Sequence, residues 1–198
     1  MMDSVVAVVG LGSNLGDSLS LANMAVESIA TLPEVRLIAC SRWYRTHPVG
    51  PPQPDYLNGC LLLETTLSAP GLLTALQAIE TQAQRQRPIH WGPRTLDLDL
   101  ILYGASIINS PTLTVPHPYF RERGFVLIPL VEIYPQGRDP VTGKTIAALA
   151  QEITPEGISL WPVADAPETS PGVVLDSLLP EPPRSPPSDE RLPDWWEY

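Results

Sequence analysis

One lysine, two cysteines and no apolar run of membrane-spanning length set the first limits on this 198-residue chain. With 12 basic residues against 22 acidic ones, a net charge of −10, the chain is a poor partner for the nucleic-acid backbone, which is held by Lys and Arg. Cys40 and Cys60 stand in apolar runs without metal-ligand spacing, and two cysteines make no disulfide framework, so both read as reduced core residues. No basic segment precedes the first apolar run, Val5 to Val9, which is too short to span a bilayer or act as a signal. The expectation is a soluble, cytoplasmic monomer with neither nucleic acid nor membrane as a partner.

The charge that is present is unevenly placed. Residues 155–198 hold 9 acidic and 2 basic residues and 10 prolines, a composition that cannot bury enough surface to offset its ordering entropy. This predicts a domain over 1–154 and a disordered, acidic, Pro-rich tail over 155–198, with Trp195 and Trp196 near its end. In the first part, Arg85, Arg87, Arg94, Arg121 and Arg123 fall within forty residues of one another, a concentration that suits a small polyanion.

Between those arginines lies Trp91 to Gly104. Leu96, Leu98, Leu100 and Leu102 alternate with Asp97, Asp99, Ile101 and Tyr103, the period of a strand with one buried leucine face. Asp97 and Asp99 then share the other face, their Cα atoms roughly 6.5 Å apart at a rise of about 3.3 Å per residue. Like charges so close raise each other's pKa unless a cation neutralises them, which a hard divalent ion carrying phosphate oxygens would do. Arg94, after the turn-forming Gly92-Pro93, presents a fixed fork for phosphate. The same alternation also fits an edge strand whose solvent face is acidic.

Along the chain, Val5 to Leu11 predicts a central strand that runs into a Gly10-Leu-Gly12-Ser-Asn-Leu-Gly16 turn, whose spacing misses the dinucleotide fingerprint. A helix follows from Asp17 or Ser18, with Leu19, Ala22, Val26 and Ile29 as its stripe. Val35 to Tyr44 and Tyr56 to Thr66 predict two strands around a proline-rich loop. In the second of these, Tyr56, Asn58 and Cys60 share a face suited to a flat heterocycle. Ser68 caps a helix with Leu72, Leu76, Ile79 and Ala83 on its buried stripe, and with Gln77 and Glu80 on a neighbouring face. After the Asp strand come a short strand at 106–108, a helix over 125–133 and a last helix over 145–152. Gly143-Lys144-Thr145 lacks the spacing and the preceding strand of a phosphate loop. The order is βαββαβ, an α+β fold of ferredoxin-like plan: an antiparallel sheet with two helices on one face and the Asp pair on the open one.

Three blocks resemble one family. Gly92-Pro-Arg94-Thr-Leu-Asp97-Leu-Asp99-Leu100, Tyr44-Arg-Thr-x-Pro48 and Pro54-Asp-Tyr-Leu-Asn58 are similar to the 6-hydroxymethyl-7,8-dihydropterin pyrophosphokinases of folate biosynthesis, over roughly Val5 to Ile133. The resemblance implies transfer of pyrophosphate from ATP to a pterin hydroxymethyl group, with two Mg²⁺ ions on Asp97 and Asp99. It implies that Arg85, Arg87 and Arg94 are catalytic. It assigns Gln77, Glu80, Arg94, Leu100, Thr114, His117 and Arg123 to ATP, and Thr46, Val49, Tyr56, Asn58, Trp91 and Phe125 to the pterin, with Asn14 a minor candidate. This chain departs from the family pattern at His47, at Pro118 in place of an aromatic, and in a shorter arginine loop with Pro88 and His90. A nucleotidyltransferase on the same sheet, or a sensor without turnover, are the other readings.

Overall fold

A computed structural model describes residues 4–48, 53–83 and 95–162. The apolar run at the start forms strand β1, Val5–Ser13, which lies between two antiparallel partners. It continues through Gly10 and Gly12 as strand, so the turn falls after Ser13, where Gly16 takes the left-handed conformation (φ 73°) that favours glycine. Helix α1, Ser18–Ala30, is capped by Asp17, whose carboxylate accepts from Ser20 N at 3.1 Å.

Strands β2, Val35–Cys40, and β3, Tyr44–Thr46, lie end to end along one edge of β4, Tyr56–Thr65. Where the two meet, Cys60 N donates to Ser41 Oγ at 2.9 Å while Ser41 N donates to Cys60 O at 2.9 Å, so a side chain completes the interrupted ladder. Helix α2, Ala69–Gln82, is capped by Ser68 and returns the chain to β5, Asp97–Tyr103, on the far side of β1. Beyond it come the paired strands β6, Ile108–Asn109, and β7, Thr114–Val115, and a 3-10 turn, Phe120–Glu122. Helices α3, Gly124–Ile133, and α4, Ile146–Gln151, are followed by strand β8, Ile158–Leu160. Among the described residues the main sheet runs β5-β1-β4-β3-β8, with β2 also on β4.

Two cores sandwich this sheet. Ala7, Val9, Leu11, Leu57, Leu61, Leu63, Leu98 and Leu100 pack against Ala22, Ala25 and Ile29 of α1 and Leu72, Leu76 and Ile79 of α2. On the other side Val8, Cys60, Leu62, Ile101 and Leu102 pack against Phe120, Val126, Leu127, Leu130, Ile146 and Leu149. The second face is therefore covered over part of its length by α3 and α4, and the expectation of an open face is corrected. The cause is local. A register shift between Val8 and Val9 sets Leu100 opposite Val9 but Leu102 opposite Val8. Ile101 and Leu102 thereby both join the second core, and the leucine alternation holds only through Leu100.

The second layer is tied down by Asp139, which is fully buried and accepts from Arg121 Nε at 2.7 Å and from a second Arg121 nitrogen at 2.6 Å. Burial would raise the Asp139 pKa, but Arg121, the Thr142 hydroxyl and the Val141 amide outweigh it and hold the carboxyl at about 2. Arg121 is committed to structure, contrary to its place in the arginine cluster as a ligand for a polyanion.

The first residues of the expected tail take part in the sheet. Ile158–Leu160 pairs with β3, and Trp161 N donates to Trp43 O at 2.9 Å; residues 163–198, with Trp195 and Trp196, lie outside the described residues. Trp43 itself lies flat on Gly59, where an added Cβ would come within 2.5 Å of its ring. Gly59→Ala is expected to cost about 1–3 kcal/mol by overpacking, read as a lower denaturant midpoint with unchanged m-value.

Candidate active site

The face opposite α1 and α2 is built from three adjacent strands whose register fixes what meets. Gly12 stands opposite Asn58 on β4 and Asp97 on β5; Gly10 stands opposite Cys60 and Asp99. The central strand thus contributes no side chain to this end of the face. A Cβ at Gly12 would lie 3.3 Å from Asn58 Oδ1, and one at Gly10 would lie 3.2 Å from Ile101 Cδ1. The result at Gly12 is a trough floored by backbone, with the acidic strand along one wall and an amide along the other, about 10 Å apart at the usual strand spacing, while Gly10 is buried beneath the Ile101 side chain. Gly12, read from sequence as part of a turn, is the floor of the candidate site, and Gly10 lets Ile101 close its inner end. The signal that could have found this is their period of two, in phase with Val8 and with the Asp pair.

The acidic wall is pinned from the opposite face. Glu80 is 4% exposed, and its Oε1 accepts from Leu98 N at 2.7 Å, the amide between Asp97 and Asp99. Sequence placed Glu80 beside Gln77 on a helix flank. The structure buries Glu80 and leaves Gln77 exposed, because a carboxylate one turn from the end of α2 reaches the start of β5. Ser13 Oγ donates to Thr95 O at 2.6 Å and joins the end of β1 to the approach of the Asp strand.

On the other wall Asn58 is buried, and its Nδ2 donates to Thr46 Oγ1 at 2.7 Å on β3. That bond orients the amide and commits the Thr46 hydroxyl oxygen as an acceptor, leaving its proton to be donated. Tyr56 donates its hydroxyl to Gln53 Oε1 at 3.1 Å, and Asn14 Nδ2 reaches Gln53 Oε1 and Pro54 O, both at 3.1 Å. Asn14 therefore holds the segment entering β4. Asp55 accepts from Arg45 Nε at 2.5 Å and lies 2.8 Å from His47 Nδ1, so His47 takes part in a clasp at the base of the preceding loop.

Above the acidic wall, His117 N donates to Ile101 O at 2.9 Å and places the imidazole near Asp97 and Arg123. Burial lowers the His117 pKa, the Arg123 charge lowers it further and Asp97 opposes, with a net value of about 4. The Tyr119 amide donates to Nδ1 at 3.2 Å, so the neutral ring carries its proton on Nε2 and acts as a donor without charge. The Arg123 guanidinium lies 5.5 Å from the ring of Phe125, which is partly buried at the start of α3.

Thr114, on β7, is exposed, and Leu100 points into the core against α1 and α2. Alternation that puts Asp99 on the trough side puts the Leu100 side chain on the other, so Leu100 could reach a nucleotide only through its backbone. Val49, Arg85, Arg87, Trp91 and Arg94 lie outside the described residues.

Among the described residues no three His, Cys, Asp or Glu side chains cluster as a metal cage. Two carboxylates over a floor without side chains suit a hard cation that takes its other ligands from water and substrate oxygens, the habit of Mg²⁺.

With this geometry in hand, the chain can be compared with known proteins. The family model described as 7,8-dihydro-6-hydroxymethylpterin-pyrophosphokinase matches residues 8–135. A 2-amino-4-hydroxy-6-hydroxymethyldihydropteridine pyrophosphokinase of Synechocystis is 47% identical over 88% of this chain and 86% of its own. A Pseudomonas aeruginosa protein of the same name is 43% identical over 79% of this chain and 96% of its own. A crystal structure of Plasmodium falciparum HPPK-DHPS with pteroate superposes with a TM-score of 0.60 at 14% identity, covering 76% of this chain and 42% of that one, a likeness of fold alone. Fold and site combine in a trough with an acidic wall on an antiparallel sheet backed by helices. The chain belongs to the 7,8-dihydro-6-hydroxymethylpterin-pyrophosphokinase family.

Two outcomes follow from the pinned wall and the buried ring. Glu80→Ala, which leaves the Leu98 amide without this acceptor, is expected to cost about 1–3 kcal/mol, whereas Glu80→Gln keeps an oxygen there and costs less, as denaturant titrations would show. An NMR titration of the His117 ring should give a midpoint near 4. Between there and the ordinary value of 6.5 the unfolded chain binds a proton that the folded chain refuses, so this ring lowers stability as pH falls through that window.

Proposed function

We propose that this chain transfers pyrophosphate from ATP to 6-hydroxymethyl-7,8-dihydropterin, releasing AMP and the pterin pyrophosphate. The observation that carries the reading is the glycine-floored trough, with Asp97 and Asp99 on one wall and Asn58, braced by Thr46, on the other. Those walls would present a phosphate chain to one side and a flat heterocycle to the other, a distance apart that lets the two substrates meet. The order β5-β1-β4 with β2 and β3 beyond, and two helices on one face, supports a ferredoxin-like core as the scaffold.

In this reading the pterin lies between Tyr56 and Phe125, its amide edge on Asn58, with Thr46, Val49 and Trp91 completing the pocket. Its hydroxymethyl oxygen attacks the β-phosphorus of ATP in line: the new O–Pβ bond forms as the bond from Pβ to the α,β-bridging oxygen breaks, and AMP departs. Asp97 and Asp99 would hold Mg²⁺, which supplies neutralisation of the triphosphate charge when bound. His117 donates from Nε2, and Arg123 places positive charge beside it. Arg85, Arg87 and Arg94 would add charge from the loop before β5, with Gln77 and Thr114 toward the outer parts of the nucleotide. Glu80 serves by holding the acidic wall in place. Electrostatic stabilisation of this kind is the main resource in phosphoryl transfer, where little covalent work falls to the protein.

The reduced, buried Cys60 and partly buried Cys40 support a cytoplasmic setting, and no helix among the described residues is long and apolar enough to cross a membrane. The acidic balance argues against nucleic acid, and we take the chain to act as a monomer. The catalytic domain would extend to Pro162, with the acidic tail after it.

The test is product identity. With ATP, Mg²⁺ and 6-hydroxymethyl-7,8-dihydropterin, mass spectrometry should find AMP and a pterin pyrophosphate; free pyrophosphate with an adenylylated pterin would make the chain a nucleotidyltransferase. Asp97→Ala and Asp99→Ala should each lower turnover by at least about 100-fold, the scale for removing a preorganised electrostatic group, while the unfolding midpoint stays close to wild type.

A further inference from the structure

Arg123 is held in an unusual way for a cation beside a substrate trough. Among the described residues it has no carboxylate partner in an ion pair; its guanidinium lies 5.5 Å from the ring centre of Phe125 and 5.5 Å from that of Tyr119. Arg121, two residues earlier, is the contrast, with both oxygens of Asp139 occupying its fork. Rings orient a guanidinium through their π faces without using its N–H donors, which stay available for an anion. Phe125 is partly buried and packs against the second core, which helps to fix it, whereas Tyr119 is 58% exposed and has no packing reason to be aromatic. Its ring also lies 6.2 Å from that of His117, tilted at 60°, and its amide donates to His117 Nδ1. One exposed residue thus touches both groups that face the nucleotide side of the trough.

We infer that Tyr119 is a positioning residue whose ring aims the Arg123 guanidinium at the phosphates of ATP. The inference rests on the phosphate-binding reading of Arg123 given above. The hydroxyl has no part in it, so the aromatic face alone should suffice. Because the side chain is largely exposed, replacing it leaves the fold intact.

The experiment is a double-mutant cycle on equilibrium binding of Mg-ATP to the full chain, read by calorimetry without pterin, with steady-state turnover alongside. Tyr119→Leu is expected to weaken ATP binding about three- to tenfold, the scale of a cation–π contact, and Tyr119→Phe to restore it. In an Arg123→Ala background, Tyr119→Leu should change the affinity less than about twofold, since its effect runs through the arginine. The KM for pterin should stay at the wild-type value. Wild-type affinity in Tyr119→Leu, with Arg123→Ala impaired, overturns the role of Tyr119 and leaves that of Arg123 standing. Equal losses from Tyr119→Leu with and without Arg123 would mean that the ring acts on the nucleotide by itself, which also overturns the inference. Unimpaired binding in Arg123→Ala overturns the phosphate reading and the inference with it.

Discussion

Two carboxylates two residues apart on one strand repel each other, and much of the molecule is arranged so that they can nevertheless stay together. Their Cα spacing is set by the strand itself, so the only freedom left is in what surrounds them. Gly10 and Gly12, opposite them on β1, place no side chain beside them. Glu80 fixes the backbone amide between them from the far side of the sheet. That third carboxylate is kept on the opposite face, where it accepts a backbone hydrogen bond and adds no third acid to the trough. Like charges held this close are a pattern that a hard cation suits.

Covering the second face only in part is the other condition. A fully open face would leave Ile101, Leu102 and Cys60 wet, and a fully covered one would leave no site. The register shift beside Val8 divides the strands into two stretches: from Asp97 to Leu100 the trough side is polar, and from Ile101 onward it is apolar and packed under α3 and α4. One irregularity in pairing marks the boundary between binding surface and core.

Much of this could be read from sequence. The Asp pair, its strand, both flanking helices with their Asp17 and Ser68 caps, and the shared face of Asn58 and Cys60 follow from period and cap chemistry, which are local. What could not be read depends on contacts between distant segments. Nothing near Glu80 in sequence reveals that its carboxylate meets Leu98, and nothing near Arg121 reveals Asp139 eighteen residues on. The place of Gly12 in a strand is not legible, because glycine in sequence suggests a turn, whereas here it marks a close approach between strands. Strand β8 is not legible for a similar reason. Composition described 155–198 as a whole, while a three-residue strand inside it is decided by the edge of β3 that awaits it.

That strand has a further consequence for how the protein behaves at high concentration. Without β8, the outer edge of β3 would present unpaired amides and carbonyls to other molecules, a template for runaway sheet growth. β8 satisfies that edge and becomes the new border, but a border of only three residues, with Pro162 two residues after it to deny an incoming strand a donor. At the opposite border, the chain after β7 folds over β5, where the His117 amide takes the carbonyl of Ile101. The short stub beyond β3 and the covered β5 leave those two borders little purchase for self-association, and at the first of them this protection against aggregation comes from the segment that composition alone consigns to the tail.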